Sequence, residues 1–220
     1  MQTLETLLNA STFKVPEKTP EEWAENDKRV MEWEQERKRE AFRASLKRAS
    51  IPDRYLGARL EDCPAEVVSW ASEPTVGLLL QGQVGRGKTH AACAVAMDRL
   101  KAGSVLFTTF DDLLRECKAT YNNTDTEQNV IARHANVGAL VIDDFGKERL
   151  TEWSLPIVFA IINKRSMSGK PTIITTQYTG QQLIERMTVD GDSETARAII
   201  SRLTEYTVTE ITGRDRRRDG

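Results

Sequence analysis

The sequence has few of the features that mark disulfide-rich, zinc-binding or membrane proteins. Its three cysteines, Cys63, Cys93 and Cys117, are far apart and form no C-x-x-C pair, which argues against a disulfide framework and a structural zinc site. The amino terminus lacks the basic flank and long apolar core of a signal peptide, and every apolar run is too short to span a bilayer. We therefore expect a cytoplasmic protein that does not associate with a membrane.

The sequence also lacks an excess of charge of either sign. Lys and Arg total 31 and Asp and Glu total 33, for a net charge of -2 over 220 residues. This balance is not that of a generally basic nucleic-acid-binding protein, so any contact with nucleic acid has to come from a local patch. The hydrophobic content of 39% is sufficient for one core plus an appendage.

Residues 82–89, GQVGRGKT, contain the most informative motif in the chain. They match G-x-x-x-x-G-K-[ST], follow the apolar run at residues 76–80, and precede a helical pattern. Glycines let the backbone turn so that amide N–H groups and the positive end of the helix face phosphate oxygens. Lys88 is expected to reach the β and γ phosphates, and the Thr89 hydroxyl to bind Mg²⁺. The predicted ligand-binding residues are Gly82, Gln83, Val84, Gly85, Arg86, Gly87, Lys88, Thr89 and His90.

A second apolar run, at residues 138–142, ends in two carboxylates, Asp143 and Asp144. A buried parallel strand delivers such acids to the carboxyl edge of a sheet. Asp143 is predicted to hold Mg²⁺, and Asp144 to orient and deprotonate the water that attacks the γ phosphate. The alternative is a helix terminus decorated with acids, and the upstream phosphate loop argues against it.

Gln177 follows another predicted strand, TIITT at residues 172–176. If this strand lies beside the strand that leads into the phosphate loop, the amide can hydrogen-bond the γ phosphate or the attacking water. The alternative is an ordinary capping residue at the end of a strand.

Alternating helix and strand patterns predict a three-layer α/β fold with a mostly parallel, five-stranded sheet. The predicted strands cover residues 76–80, 104–109, 138–142, 172–176 and 206–211. The predicted helices cover residues 65–72, 89–101, 110–121, a segment up to about 136, 151–168, 181–187 and 194–204.

The amino-terminal region differs from the rest in its high charge. Residues 1–10 have the leucine spacing of a short helix, and Thr19, Pro20 and Glu22 form a helix-start signal. Residues 21–48 then predict a long helix whose apolar residues are too sparse to anchor it in a core. Two interpretations are open: a solvated helix on the body, or an arm that meets a partner protein, as the two tryptophans favour.

The motifs GQVGRGKT, ALVIDDFG, KPTIITTQ and AIISRL, preceded by IPDRY, together resemble the AAA+ ATPases of the DnaC/DnaI helicase-loader family. The IstB transposition ATPases are close relatives of that family. The resemblance covers about residues 51–217. It implies a P-loop NTPase core of the AAA+ (ASCE) type at residues 51–220, and a helical segment at residues 1–50 that binds a helicase.

The resemblance also implies roles for single residues. Asp143 is the Walker B acid, Gln177 occupies sensor 1, and Arg202 in SRL is the arginine finger that completes the site of a neighbouring subunit. A surface arginine is the alternative for Arg202. Either Arg216 or Arg217 is the candidate for sensor 2, with a solvated basic tail as the alternative. By the same analogy Ile51 and Tyr55 lie near the adenine, and a packed linker explains them almost equally well.

This chain departs from the family pattern at two positions, where family members commonly have Glu as catalytic base or Asn at sensor 1. Asp144 and Gln177 stand there instead. A shorter acid with a longer amide either keeps the same water in place or leaves hydrolysis slow. Only residues 212–220 follow Ile211, so we expect no helical lid, which argues against clamp loaders, initiators and unfoldases.

The function implied by the resemblance is ATP-dependent loading of a DnaB-like replicative helicase onto single-stranded DNA. ATP and Mg²⁺ are the expected cofactors, and the expected assembly is a homo-oligomeric spiral, hexameric with the helicase. The alternatives are an IstB-like transposition ATPase that recruits a transposase, a small-molecule kinase, and a nucleotide-binding scaffold without turnover. Candidate DNA contacts are Phe110, Lys118, Tyr121, Lys147 and Arg149.

Overall fold

The computed structural model describes residues 19–75, 77–121 and 126–212, with the backbone alone at residue 121. The predicted helix at residues 1–10, the Tyr121 side chain, and Arg216 and Arg217 lie outside the described part. Contacts divide the chain between Ala41 and Phe42 into two units.

The first helix, α1 (Pro20–Ala49), begins at the predicted capping box. The Thr19 N–H donates to the Glu22 carboxylate at 2.8 Å, and the Glu22 N–H donates to the Thr19 hydroxyl at 3.2 Å. In the first unit Trp23, Met31 and Trp33 remain 54%, 63% and 59% exposed, so this part of α1 forms no core of its own. Within the described ranges, no helix combines the length and apolar character needed to cross a membrane.

The second unit contains the end of α1 and all of the remaining elements. Two short 3-10 turns lead into an alternation of helices and strands. The helices are α2 (Ala65–Ser72), α3 (Lys88–Arg99), α4 (Phe110–Tyr121), α5 (Glu127–Asn136), α6 (Ser154–Met167), α7 (Gly180–Met187) and α8 (Glu194–Leu203). The strands are β1 (Gly77–Gln81), β2 (Val105–Thr109), β3 (Ala139–Asp143), β4 (Thr172–Thr176) and β5 (Thr207–Glu210).

The strands form a single five-stranded sheet in the order β2-β3-β4-β1-β5, and every pairing is parallel. The predicted α/β fold with a five-stranded parallel sheet is therefore confirmed. Because parallel strands share a direction, Gln81, Asp143 and Thr176 end their strands at one edge. β4 lies between the strand that leads into the phosphate loop and the strand that ends in the two acids.

Alternate residues of the central strands point to opposite apolar layers, as a sheet covered on both faces requires. Leu140 and Ile142 of β3 pack in one buried cluster with helices α4 to α8. Val141 packs in the other cluster, with α2, α3 and the end of α1. Ile174 and Ile173 of β4 divide in the same way. The buried core is thus two layers of side chains on either side of the sheet.

A fully buried arginine, Arg165 of α6, joins several segments beneath this sheet. Its guanidinium donates to the carbonyls of His134 and Val137, both at 2.9 Å, and of Pro171 at 2.6 Å, and to the Thr172 hydroxyl at 2.8 Å. Burial lowers the pKa of Arg165 to about 10, so the side chain remains charged at neutral pH. The acceptors include the last carbonyls of α5, where a helix carries partial negative charge.

Candidate nucleotide-binding site

The phosphate loop connects β1 to α3 through glycines in conformations that other residues rarely adopt. Gly82, Gly85 and Gly87 have φ angles of 153°, 82° and 95°. Gly87 is the residue before α3 and has the left-handed conformation. A Cβ added at Gly82 would lie 2.5 Å from the Ile211 carbonyl oxygen. The backbone can therefore turn sharply between β1 and α3 because these positions are glycines.

Lys88, the first residue of α3, points back into the loop. Its Nζ donates to the carbonyl oxygens of Gly82 at 2.8 Å and Gln83 at 2.9 Å, and the residue is only 7% exposed. The lysine also lines a cavity at the carboxyl edge of the sheet. The loop thus holds a positive charge where the motif predicts that phosphates bind.

The structure brings together Thr89 and Asp143, the two residues predicted to bind Mg²⁺. The Thr89 hydroxyl lies 3.0 Å from both carboxylate oxygens of Asp143, to which it donates. The Thr175 hydroxyl donates to the same carboxylate at 2.6 Å. Burial raises the pKa of Asp143 above its usual range, and the nearby charge of Asp144 adds to that, while the two hydroxyls act in the opposite direction.

Asp144 faces a different environment from its neighbour because the chain turns abruptly after β3. Asp144 has a φ of 55°, a left-handed conformation that is uncommon for residues other than glycine. Its N–H donates to the Thr175 hydroxyl at 2.9 Å. Its carboxylate is 49% exposed, lies 3.3 Å from the Lys147 amine, and lines the cavity. One acid is therefore buried and the other is open to the cavity.

Gln177 follows β4 and lies at the same cavity as Asp144 and Lys88. β4 pairs with β1 in parallel, as the interpretation of Gln177 requires. The Gln177 amide donates to the Tyr178 hydroxyl at 2.8 Å. A side-chain amide has a second N–H and an oxygen, so Gln177 can also bind its predicted partner, a γ phosphate or an attacking water.

The cavity itself has a volume of about 400 Å³. Tyr55 lines it, whereas Ile51 is buried in a hydrophobic cluster beside α3, so only the tyrosine of the two adenine-side candidates is at the cavity. Sequence reasoning missed Thr175, Phe145 and Tyr178. The lining residues are Tyr55, Val84, Gly85, Gly87, Lys88, Thr89, His90, Asp144, Phe145, Lys147, Gln177 and Tyr178.

Arg202 does not line this cavity in the described chain. Its Nε donates to the Asn163 side-chain oxygen at 2.6 Å, and a second nitrogen donates to the Ala198 carbonyl at 2.8 Å. The guanidinium also lies 4.8 Å from the centre of the Phe159 ring. The predicted finger is thus held against α6 of its own chain. In the phosphate loop, another predicted ligand-binding residue, Arg86, donates to the Gln83 side chain at 3.1 Å.

The predicted DNA contacts divide into exposed and buried residues. Lys118, Lys147 and Arg149 are exposed. Phe110 is fully buried, with its ring centre 4.7 Å from that of Phe145. The assignment of Phe110 to DNA is therefore wrong, because its ring lies on the buried face of α4, within the apolar cluster on one side of the sheet.

The phosphate loop, the buried acid on β3 and the strand inserted between them define this domain as a P-loop nucleoside triphosphatase. The family model for IstB-like ATP binding proteins matches residues 66–219. The chain belongs to this family.

Comparison with known proteins links the chain to helicase loaders. It is 32% identical over 119 residues to the replicative helicase loader DnaC of Escherichia coli K12, covering 50% of this chain and 49% of that protein. It is 26% identical over 198 residues to DnaC of Buchnera aphidicola subsp. Baizongia pistaciae, covering 74% and 80%. The chain thus spans about half the length of its Escherichia coli relative.

A solved structure of DnaI resembles the fold. The two structures have a TM-score of 0.63 at 24% identity, and the match covers 74% of this chain and 95% of that chain. At this identity the similarity supports the assignment of the fold and does not by itself support a function.

Proposed function

We propose that this protein is an ATP-driven loader of a DnaB-like replicative helicase. The observation that carries the proposal is that Thr89, which lines one cavity with Lys88 and Asp144, donates to the buried Asp143 carboxylate. This arrangement suits a nucleoside triphosphate with its metal ion. The kinship with helicase loaders supports the choice of partner.

The residues at the cavity fit ATP and magnesium. Glycines with positive φ leave the loop backbone open to phosphate oxygens, and Lys88 supplies a cation. Thr89 and Asp143 offer the hard oxygen ligands that Mg²⁺ prefers, and a bound ion would neutralise phosphate charge there. Tyr55 offers an aromatic face at the same cavity.

The two acids, Asp143 and Asp144, have separate roles in hydrolysis. Asp144 orients a water and accepts its proton as the water oxygen bonds to the γ phosphorus. The bond from phosphorus to the bridging oxygen breaks, and ADP and phosphate leave. Gln177 donates to the water or to a γ oxygen. In the described structure Asp144 is paired with Lys147, and Gln177 with Tyr178, so both groups are held at the cavity before a nucleotide binds.

Arg202 serves a neighbouring copy of the chain. It lies away from its own cavity, on α8, with Asn163 and Phe159 as its contacts. A cation brought to the γ phosphate of the next subunit stabilises charge in the transition state, and it makes hydrolysis depend on assembly. An open spiral of subunits is the form in which each finger meets the next phosphate loop.

The amino-terminal segment, residues 1–50, contacts the helicase, and residues 51–220 form the ATPase domain. The exposed tryptophans Trp23 and Trp33 on α1 support this assignment, because aromatic side chains concentrate the binding energy of protein interfaces. Lys118, Lys147 and Arg149 are exposed cations that can meet the phosphates of single-stranded DNA. Hydrolysis then releases the loader from helicase and DNA.

Binding to a hexameric DnaB-like helicase tests the proposed function. We expect the full chain to form a complex with ATP present, and a chain lacking residues 1–50 to form none. Replacing both Trp23 and Trp33 by alanine should weaken the complex by about 30-fold or more, since each is a large exposed aromatic. Glu36→Ala on the same helix, which removes an exposed carboxylate paired with Arg39, should change the affinity for the helicase less than about threefold. Size-exclusion chromatography with light scattering measures the complex.

A transposition ATPase is the second candidate, because the matching family model is that of IstB-like proteins. Such a protein would bind duplex DNA cooperatively and recruit a transposase. No helicase complex under any nucleotide condition, together with cooperative duplex binding, would contradict the loader proposal and favour this candidate.

A further inference from the structure

Residues 144–147, at the start of the loop after β3, are hydrogen-bonded to neighbouring elements. The Asp144 N–H donates to the Thr175 hydroxyl at 2.9 Å, and the Phe145 N–H donates to the Thr175 carbonyl at 2.8 Å. The Phe145 carbonyl accepts from the Thr176 hydroxyl at 2.8 Å. These contacts tie Asp144 and Phe145 to β4, and the next two residues, Gly146 and Lys147, are bound by a different element.

Arg186 of α7 makes that second set of contacts. Its Nε donates to the Gly146 carbonyl and a terminal nitrogen donates to the Lys147 carbonyl. The planar fork of an arginine suits two adjacent acceptors, which the single ammonium of a lysine cannot match. The guanidinium carbon also lies 4.3 Å from the centre of the Tyr178 ring.

The position of Arg186 is fixed because α7 is well anchored and lies directly against the loop. A capping box begins α7: the Thr179 N–H donates to the Gln182 side chain at 2.9 Å, and the Gln182 N–H donates to the Thr179 hydroxyl at 3.3 Å. Gly146 has a φ of 81°, and a Cβ added there would lie 2.3 Å from a methyl group of Leu183. Helix and loop therefore cannot shift independently.

The Arg186 guanidinium thus contacts a neighbour of each of the two polar groups that hydrolysis needs, Asp144 and Gln177. It binds the carbonyl of Lys147, whose amine lies 3.3 Å from the Asp144 carboxylate. It stacks on Tyr178, whose hydroxyl accepts from Gln177 at 2.8 Å. Arg186 itself does not line the cavity in the described chain.

We propose that Arg186 is a positioning residue for ATP hydrolysis, which holds the Asp144 loop and the Tyr178–Gln177 pair in one arrangement. This inference rests on the proposed ATPase function. Arg186 should affect turnover and leave nucleotide affinity unchanged. It acts through the loop that contains Asp144 and through the Tyr178 ring, and it contacts neither the phosphate loop nor Lys88. Small displacements of catalytic groups are sufficient to reduce turnover strongly.

Steady-state hydrolysis by the full-length protein tests the inference. Arg186→Met keeps the apolar stem and removes the fork, so kcat should fall between about 10-fold and 100-fold, while the dissociation constant of ATP should stay within about twofold. Arg186→Lys should recover only part of kcat, because one ammonium group replaces two fixed donors and the stacking. Two control variants should keep the wild-type kcat: Glu185→Gln, beside Arg186 on α7, and Arg115→Met, which removes an exposed arginine paired with Asp111.

A coupling measurement separates positioning from a general loss of stability. Tyr178→Phe keeps the ring that Arg186 contacts and removes the hydroxyl that Gln177 contacts, so it should lower kcat in the wild-type background. In the Arg186→Met background, Tyr178→Phe should lower the logarithm of kcat by less than half as much as in the wild type, because the ring is no longer held in place. Thermal unfolding of each variant ensures that the assays are run on folded protein.

The outcomes distinguish this inference from the function on which it rests. Wild-type turnover that Arg186→Met leaves unchanged would overturn the inference alone, and so would a parallel loss of kcat and ATP affinity. Fully additive effects of the Tyr178 and Arg186 variants would also contradict it. Absence of turnover by the wild type with helicase and DNA present would overturn the proposed function, and the role of Arg186 with it.

Discussion

Lys88→Ala is expected to lower the affinity of the protein for ATP by at least about 100-fold, because it removes a charged hydrogen-bond donor from a partly enclosed phosphate site. In the described structure the Lys88 amine is held on two carbonyls of the phosphate loop and is almost fully buried. Among the described residues that line the cavity, Lys147 is the other lysine, and it is paired with Asp144.

Titration with a fluorescent ATP analogue measures this effect, and ATP-induced thermal stabilisation provides a second readout. Ligand that binds only the folded state raises the unfolding temperature, so saturating ATP should stabilise the wild type and leave Lys88→Ala nearly unchanged. Lys101→Ala is the matched control: Lys101 is exposed and pairs with Asp98 at 3.1 Å. Its ATP affinity should equal that of the wild type. Tight ATP binding by Lys88→Ala would contradict the assignment of residues 82–89 as the phosphate site.

Arg165→Met is expected to lower the free energy of unfolding by at least about 3 kcal/mol, the cost of removing one side of a buried charged network. The side chain is fully buried, and its donors satisfy carbonyls from the end of α5 and from the segment before β4. Methionine keeps an apolar stem and has no donors, so these acceptors would remain buried and unsatisfied. The destabilisation arises more from these buried carbonyls without a donor than from the loss of the arginine side chain itself.

Urea unfolding followed by circular dichroism measures this difference. Arg115→Met, which removes an exposed arginine from α4, is the control and should change the free energy of unfolding by less than about 0.5 kcal/mol. Arg165→Lys should remain destabilised, since one ammonium group cannot reach acceptors on both segments. Equal stability of Arg165→Met and the wild type would show that the arginine is not needed to join α5 and β4.

The phosphate loop, the acids after β3 and the parallel sheet were predictable because each depends on residues close together in the sequence. Glycine spacing determines where the backbone can turn, and an apolar run followed by Asp143 and Asp144 determines where a buried strand ends. Of the strand order, only the position of β4 beside β1 was considered from the sequence, as the condition for the role of Gln177; the positions of the other strands come from the structure.

Arg165, Thr175 and Arg186 were not predictable for a physical reason. Arg165 and Arg186 bind backbone carbonyls from distant segments, and every residue type offers a carbonyl, so the sequence contains no matching signal. Thr175 contacts Asp143 across two neighbouring strands, and its hydroxyl is one of several in TIITT. Phe110 was misassigned because helical periodicity marks a face without saying whether that face meets solvent or core.

The central claim is that the ATP site is completed by a neighbouring subunit, and mixing two inactive variants tests it most directly. Lys88→Ala and Arg202→Ala should each hydrolyse ATP poorly with helicase and single-stranded DNA present. In an equal mixture about a quarter of the interfaces should pair an intact Lys88 with an intact Arg202, and hydrolysis should recover to about that fraction of the wild-type rate. A mixture that remains inactive, or an Arg202→Ala protein that alone matches the wild type, would contradict the claim.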